Sequence, residues 1–365
     1  MKLSTVIIAS AAAVAAQSVS SPPEQHSLIN DEIVASVVQD KGSAFEVWEA
    51  SQNPLNVYRP SELMTLFGTH YDVDQLNKPN DLKPGAYFVE KGILHPNVGT
   101  MPSPVGPFPR DFDARIAYPQ CKHPVRNQEH CGSCWAFSVA ETWADNACVN
   151  NTGSSSSVVP GEQFSVEQIL ACDHFGPNAG CKGGIPGYAW DWVKDQGLVT
   201  EQCFPYDSFN MTVDACPPEV GPDISICPGG KTVKWAPNKC TMEPATLSVQ
   251  YNDSAWMNAI MKLGALQTDY MVFPDFLQYK TGVYKHTNMS QQILGGHAIK
   301  VIGWGIVNKT NVTNYEQPYW TVQNSWGEKF GEEGYFRIWR DRNLSHRAYM
   351  GHAAASACGQ KLPEV

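Results

Sequence analysis

The chain has 365 residues, of which 42% are hydrophobic and 11% aromatic. This supplies enough apolar material for a packed core and excludes wholesale disorder. The formal net charge of -10 excludes nucleic acid as an expected partner, because binding to phosphates requires an excess of Lys and Arg. A chain of this length can hold two compact lobes together with a removable segment.

The N-terminus predicts a secretory signal peptide over residues 1–16. Lys2 provides a positive charge, residues 6–16 form a short apolar run, and residues 13–15 are small, as a signal peptidase requires. The run is shorter than the roughly 20 apolar residues that span a bilayer. No later stretch is long enough either, so no membrane span is expected. The sequence therefore predicts a secreted protein or one of a lysosome- or vacuole-like compartment.

Acceptor sites for N-linked glycosylation agree with this destination. Single Asn-x-Ser/Thr triplets arise by chance, but a series of them after a signal peptide indicates a glycosylated surface. The predicted sites are Asn150, Asn210, Asn252, Asn288, Asn308, Asn311 and Asn343.

The cysteine content is odd, at eleven residues, and all of them follow residue 120. Because disulfides consume thiols in pairs, at least one thiol stays free. Such a thiol is either buried and inert or reactive and used.

Residues 17–106 differ in character from the rest of the chain. They lack cysteine and contain an amphipathic segment at 28–38 with apolar residues at helical spacing. They lead into a proline-rich stretch at 101–110 that is typical of an extended linker. An ordinary interdomain linker is one interpretation. Its position before a cysteine-rich body favours a cleavable propeptide over 17–106 and a mature protein over 107–365.

The two halves of the mature part have different periodicities. Large and small apolar residues recur every four positions over 135–147, which predicts a helix. Further helices are predicted over 165–171 and 187–196. Alternating residues predict strands over 298–302, 319–322 and 334–339. Helices first and strands later indicate an α+β fold with two segregated halves.

Cys134 opens the first of these predicted helices, in Gln128-Glu-His-Cys131-Gly-Ser-Cys134. Unpaired amides and the helix dipole at such a position favour a thiolate, the nucleophilic form. The pair Cys131-x-x-Cys134 also matches a dithiol redox site. A zinc site requires four ligands, and no second pair of this spacing exists. No metal or cofactor is therefore expected.

Two residues discriminate between these alternatives. His297 follows two glycines at the start of a predicted strand, and Asn324 ends another. In acyl transfer, a third group must hold the base in one tautomer, and an amide oxygen can do so. Trp326 could shield that hydrogen bond from water. A dithiol oxidoreductase would need neither His297 nor Asn324.

Taken together, the motifs resemble the papain family of cysteine proteases. The signature around the nucleophile of that family is met, and three further motifs follow in the family's order. The four stretches are residues 128–137, 181–184, 295–298 and 324–327. Within the family, the chain is most similar to the cathepsin B group, on residues 112–115, 118–121 and 295–305.

This resemblance implies a two-lobed papain-like fold, with a helical left lobe at about 107–245 and a β-barrel-like right lobe at about 246–365. A cleft would lie between the lobes. It implies a cysteine endopeptidase with Cys134 as nucleophile and His297 as base, the two forming a thiolate–imidazolium pair. It also implies roles for the remaining site residues: Asn324 orients the base, Gln128 contributes to an oxyanion hole, and Gly183, Gly184, Gly296, Trp326 and Ala355 bind substrate.

The resemblance further implies partners and disulfides. Expected partners are protein and peptide substrates, the chain's own propeptide as inhibitor, and cystatin-type inhibitors, with the enzyme a monomer. The implied disulfides are Cys131–Cys181, Cys121–Cys148 and Cys216–Cys227, and Cys172–Cys240 is the preferred fourth pair. A non-catalytic, papain-shaped binding protein is the alternative.

The chain departs from the cathepsin B group at three places, two of which change the expected specificity. The predicted 216–227 hairpin contains no histidine, and Asn127 replaces the acid that would pair with one. The sequence therefore predicts dominant endopeptidase activity and weak dipeptide trimming from C-termini. Residues 351–355 contain no acid, which predicts an apolar pocket for the substrate residue before the cleaved one. Glu129 and His130 replace small residues, an exchange interpreted as surface variation.

Overall fold

The structure, a computed structural model, describes residues 34–35, 48–69, 107–151, 162–174, 176–217, 239–242, 247–250, 253–287, 293–309, 315–340, 350–353 and 356–358. The predicted signal peptide lies outside the described residues. Of the amphipathic segment at 28–38, the structure describes only Val34 and Ala35, which are helical. Residues 48–69, the described continuous part of the predicted propeptide, are called the pro-segment below.

The helices form largely where the periodicity predicts them. They are α1 (Pro60–Met64), α2 (Ala114–Ala117), α3 (Cys134–Asn151), α4 (Val166–Cys172), α5 (Pro186–Gln196) and α6 (Asp253–Leu263). The side chain of Ser165 caps α4 by accepting a hydrogen bond from the backbone N–H of Gln168. Helix α5 begins with a proline and ends at Gly197, whose φ of 67° is easily adopted by glycine.

Helix α3 is the centre of the helical lobe. The side chains of Trp135, Trp143 and Trp190 are fully buried around it. The rings of Trp143 and Trp190 stack with centroids 6.2 Å apart, which joins α3 to α5. A helix that is buried on nearly every face has no polar stripe, and this explains why its apolar residues are so dense.

The strands form one large and one small sheet. They are β1 (Trp48–Ala50), β2 (Phe112–Asp113), β3 (Leu198–Val199), β4 (Lys239–Met242), β5 (Leu247–Gln250), β6 (Leu266–Val272), β7 (Tyr279–Tyr284), β8 (Gly295–Val307), β9 (Gln317–Gln323), β10 (Tyr335–Trp339), β11 (Met350–Ala353) and β12 (Ser356–Cys358). The nine-stranded sheet has the order β1-β7-β10-β9-β8-β6-β11-β5, and β2 pairs with β8. The three-stranded sheet has the order β12-β4-β3. The fold is thus α+β and two-lobed, as predicted.

The pro-segment contributes to the large sheet. Its strand β1 pairs antiparallel with β7, with Trp48 opposite Gly282. Trp48 and Leu55 are buried in the same apolar cluster as the aromatic residues of the sheet. Burying such side chains contributes about 1.5–3 kcal/mol each relative to leaving them exposed. The pro-segment is therefore packed as part of the β lobe.

Two of the four predicted disulfides are confirmed. Cys121 bonds Cys148, and Cys131 bonds Cys181. The predictions Cys216–Cys227 and Cys172–Cys240 are wrong. Cys172 at the end of α4 bonds Cys216, with their Cα atoms 4.8 Å apart. The chain after α5 folds back over the end of α4, and the order of cysteines along the sequence does not reveal such a return. Cys203 is also disulfide-bonded.

Candidate active site

Cys134 is the free cysteine among the described residues, and its side chain is fully buried. It is the first residue of α3, as predicted. Its sulfur lies 3.5 Å from the hydroxyl of Thr69 in the pro-segment. Burial raises the pKa of the Cys134 thiol, while contacts with Ala298, Thr69 and neighbouring backbone act in the opposite direction. The thiol is therefore neutral at ordinary pH in this covered state.

The disulfide between Cys131 and Cys181 bears directly on the redox interpretation. A dithiol oxidoreductase needs Cys131 and Cys134 as exchange partners. Because Cys131 is bonded elsewhere and Cys134 is free, the two do not form a redox pair.

His297 and Asn324 come together as predicted. His297 lies on β8, and its Nε2 is 2.8 Å from Oδ1 of Asn324, just after β9. That oxygen also accepts the backbone N–H of Ser325 at 2.9 Å, which fixes the orientation of the amide. The hydrogen of His297 is then on Nε2, so Nδ1 is left as the basic nitrogen. The ring of Trp326 lies 4.6 Å from the imidazole and covers it.

The covered histidine is uncharged. Burial lowers the pKa of His297 to about 4, while the hydrogen bond to Asn324 and the nearby Leu66 backbone act in the opposite direction. Its Nδ1 has no hydrogen-bond partner among the described residues. The thiolate–imidazolium pair that the family resemblance implies is therefore not present while the pro-segment covers the site.

Gln128 is buried and is held from both sides of the cleft. Its side-chain oxygen accepts a hydrogen bond from Ser325 Oγ at 2.7 Å. Its Nε2 donates to the carbonyl of Cys131 at 2.8 Å and to that of Leu66 at 3.3 Å. A peptide carbonyl thus already lies at the amide that an oxyanion would require.

Backbone atoms of the pro-segment bind in the cleft between the lobes. The N–H of Gly184 donates to the carbonyl of Gly68 at 2.8 Å, and the N–H of Thr69 donates to the carbonyl of Gly296 at 3.2 Å. A Cβ on Gly68 would lie 1.9 Å from the carbonyl oxygen of Gly132, so the approach requires glycine. Gly184 and Gly296, predicted to bind substrate, therefore contact an extended peptide.

The other predicted substrate-binding residues differ in their surroundings. Trp326 packs its ring against Phe67 of the pro-segment, with centroids 6.2 Å apart. Gly183 instead donates its N–H to the carbonyl of Gly180 at 3.2 Å, within a local turn. Ala355 lies outside the described residues.

A buried charge cluster positions the two halves of the site. Lys300, on β8, pairs with Asp145 of α3 at 2.9 Å, and His123 contacts the same carboxylate at 2.6 Å. Glu141, one turn earlier on α3, is also buried. Coulombic attraction to Lys300 and hydrogen bonding to His123 hold the pKa of Asp145 below its usual value against the cost of burial. The cluster connects the helix of Cys134 to the strand of His297.

Sequence reasoning missed Asp269 of β6. It lies opposite Ala298 in the antiparallel pairing with β8, one position beyond His297. It is 9% exposed, and burial raises its pKa to about 7. A single acid in an otherwise fully buried strand gives no periodic signal.

It also missed where the pro-segment crosses the cleft. Glycine at position 68 after the apolar residues Leu66 and Phe67 was the available signal, since glycine marks a close backbone approach. A glycine does not indicate which residue its backbone approaches, so the place where the pro-segment crosses the cleft could not be located from the sequence.

The comparisons with known proteins agree with this geometry. A family model described as papain family cysteine protease matches residues 108–358. A gut-specific cysteine proteinase of Caenorhabditis elegans is 36% identical over 241 residues, covering 64% of this chain and 69% of that protein. A cathepsin B-like cysteine proteinase of Schistosoma japonicum is 36% identical over 253 residues, with the same coverage of 64% and 69%.

A procathepsin B of Trypanosoma congolense has the same fold, with a TM-score of 0.66 at 24% identity over 91% of this chain and 99% of that one. The chain belongs to the papain family of cysteine proteases. Within that family it is a cathepsin B-like cysteine protease, a cysteine-type peptidase that hydrolyses peptide bonds. Of the helices described, none combines the length and apolar character needed to cross a bilayer.

Proposed function

We propose that the chain is the latent precursor of an endopeptidase in which Cys134 attacks the peptide carbonyl and His297 moves the proton. The observation that carries this proposal is the arrangement around the bound pro-segment. A free thiol, an imidazole oriented by Asn324 at 2.8 Å and the amide of Gln128 all surround one stretch of extended peptide. The alternative, a binding protein without catalysis, would need none of these orientations.

Each group would have one role in the reaction. Nδ1 of His297 would take the thiol proton, and the Cys134 thiolate would then attack the carbonyl carbon. Nε2 of Gln128 and the backbone N–H of Cys134 would stabilise the oxygen that gains charge. His297 would next give its proton to the leaving amine, and water would release the acyl group from the sulfur. Asn324 would keep Nε2 protonated throughout.

The propeptide would act as the inhibitor. The pro-segment contributes Thr69 beside the thiol and the Leu66 carbonyl at Gln128, so substrate and solvent are excluded from the same positions. Removing it would restore water to the site and favour the charged thiolate–imidazolium pair, because desolvation is the first cause of both pKa shifts. Activation would therefore both open the cleft to substrate and ionise Cys134 and His297.

Endopeptidase activity is the finer part of the proposal. No histidine occurs in residues 175–285, so the segment that would close the cleft offers no imidazole for a substrate C-terminus. The Nδ2 of Asn127 donates to Glu129 at 2.6 Å, and position 127 supplies no acid to hold such a histidine. A peptide with a free C-terminal carboxylate should accordingly have no advantage.

Secretion and surface features are further parts of the proposal. Asn150, Asn210 and Asn308 have exposed side chains, as glycan attachment requires, and the other four predicted acceptors lie outside the described residues. A monomer that also binds cystatin-type inhibitors is the expected form after maturation. A shift in electrophoretic mobility after treatment with an endoglycosidase tests the glycan prediction.

The decisive experiment is active-site labelling of enzyme matured from the full chain. A thiol-reactive peptidyl epoxide should modify Cys134 alone and abolish hydrolysis of a fluorogenic peptide, and Cys134→Ser should abolish both. Cleavage of a matched peptide pair, with free and amidated C-termini, tests the endopeptidase prediction. Modification of another cysteine, or peptide binding without hydrolysis, would overturn the assignment.

A further inference from the structure

Glu129 has an unusual backbone conformation next to the proposed oxyanion site. Its φ is 50°, in the left-handed region that favours glycine, and it directly follows Gln128. Non-glycine residues in that region are strained, and they persist where the surrounding structure holds them, often at binding sites. The side chain of Glu129 is therefore a candidate for a role in peptide binding.

The side chain of Glu129 is held by its neighbour and contacted by the pro-segment. Asn127 Nδ2 donates to one carboxylate oxygen at 2.6 Å, and the Glu129 N–H donates back to Asn127 Oδ1 at 3.1 Å. The hydroxyl of Tyr58 donates to the other oxygen at 3.4 Å. Thus Asn127 holds one carboxylate oxygen of Glu129, and the other oxygen accepts a hydrogen bond from the pro-segment.

His130 completes the contact with the same tyrosine. The rings of Tyr58 and His130 are 4.5 Å apart at 83°, an edge-to-face arrangement. The backbone N–H of His130 donates to the carbonyl of Phe209 at 3.0 Å, which anchors this residue. Burial and the carboxylate of Glu129 raise the pKa of Tyr58 to about 12, so its hydroxyl stays a donor.

The position of this contact along the cleft identifies which part of a substrate would reach it. The pro-segment binds Gly184 and Gly296 through Gly68 and Thr69 at one end. Tyr58 contacts Glu129, the residue after Gln128, and so belongs to the other end of the segment. With the substrate-binding glycines on the acyl side of the scissile bond, Tyr58 is on the leaving-group side.

We propose that Glu129 and His130 form a side-chain subsite for tyrosine on the leaving-group side of the scissile bond. Tyr58 fills this subsite in the precursor, and a substrate side chain enters it after maturation. The inference rests on the proposed peptidase function and adds a substrate preference to it. Phenylalanine packs against the imidazole but gives no donor to the second carboxylate oxygen of Glu129, and alanine reaches neither group.

The first test measures substrate preference with enzyme matured from the full chain. Peptides that differ only in Tyr, Phe or Ala at each of the first three positions after the cleaved bond are compared by kcat/KM. We expect one position at which Tyr exceeds Phe by about three- to tenfold, the range for one typical net hydrogen bond. In Glu129→Gly this ratio should fall to about one.

Glu333→Gly is the matched control for that variant. Glu333 is exposed, is also a glutamate with positive φ, at 56°, and loses the same charge and backbone strain on substitution. It should keep the wild-type Tyr/Phe ratio. Equal kcat/KM for Tyr and Phe at all three positions in the wild type, or loss of the preference in both variants, overturns the subsite.

The second test uses the intact precursor and needs no hydrolysis. The rate at which iodoacetamide alkylates Cys134 reports how often the pro-segment lifts from the cleft. Tyr58→Phe and Glu129→Gly should each raise this rate by about three- to tenfold, and the double variant should not exceed the larger single effect. Additive effects would overturn the Tyr58 contact. If the alkylation result holds but the wild type hydrolyses nothing, the proposed function and the substrate subsite both fail, while the precursor contact stands.

Discussion

The hydroxyl of Thr69 lies 3.5 Å from the sulfur of Cys134, so a residue of the pro-segment covers the thiol directly. The same segment places the Leu66 carbonyl 3.3 Å from the amide of Gln128. Both contacts are made with residues that the reaction itself would use. The pro-segment therefore keeps the precursor latent by covering the reacting groups themselves.

Cys134 should change its ionisation on maturation. In the precursor, burial raises the pKa of this thiol and lowers that of His297 to about 4, so both groups are neutral between those values. The ultraviolet absorbance of the Cys134 thiolate in the precursor should rise only above the ordinary thiol pKa of about 8.5. After maturation the midpoint should fall below that value, because the charged pair is then solvated. Absorbance titrations across pH 4–10, with Cys134→Ser as the blank, measure both midpoints. Identical midpoints before and after maturation would contradict this explanation.

Gly68→Ala should weaken inhibition by the pro-segment. A Cβ at this position would lie 1.9 Å from the Gly132 carbonyl, so the segment must lift. Overpacking of this kind costs about 1–3 kcal/mol, or about five- to 150-fold in the population of the open form. Maturation of the variant should be faster by a factor in that range, as followed by electrophoresis. Val57→Ala, at a pro-segment side chain that is 79% exposed, should mature at the wild-type rate. Equal rates for both variants would show that Gly68 does not control release.

Lys300→Met should destabilise the junction of the two lobes. It removes the cation that faces Asp145 at 2.9 Å inside the molecule and leaves the buried carboxylates of Asp145 and Glu141 without that positive charge. Breaking one partner of a buried pair costs about 3–5 kcal/mol. Lys280→Met provides the comparison, since its pair with Glu49 at 3.3 Å is exposed and is worth about 0–1 kcal/mol. Urea unfolding of the two variants measures the difference, and similar losses would mean that the buried cluster is not stabilising.

The site was more predictable from sequence than the contacts that cover it. Cys134, His297 and Asn324 each stand at the end of a helix or strand, and periodicity locates such ends. The bond between Cys172 and Cys216 and the contact of Tyr58 with Glu129 depend on how distant loops return to the body. No local pattern encodes that return. Glu129 was interpreted as surface variation because its positive φ is visible only in three dimensions.

Asp269 should make stability depend on pH in a direction opposite to that of most acids. Burial raises its pKa in the folded state to about 7, from an ordinary value of 3.8. Between these values the folded state binds the proton and the unfolded state does not, so stability is lost as pH rises from 4 to 7. For a shift of this size the loss is on the order of 4 kcal/mol.

Asp269→Asn cannot ionise, so the variant should gain stability relative to wild type as pH rises. Urea unfolding of the wild type and the variant at pH 4.5 and 7.5 measures this, because the difference between the two proteins cancels the titration of all other groups. Glu328→Gln, at an exposed position, should follow the wild-type dependence. A difference between wild type and Asp269→Asn that is constant with pH would show that this carboxyl ionises normally in the folded protein.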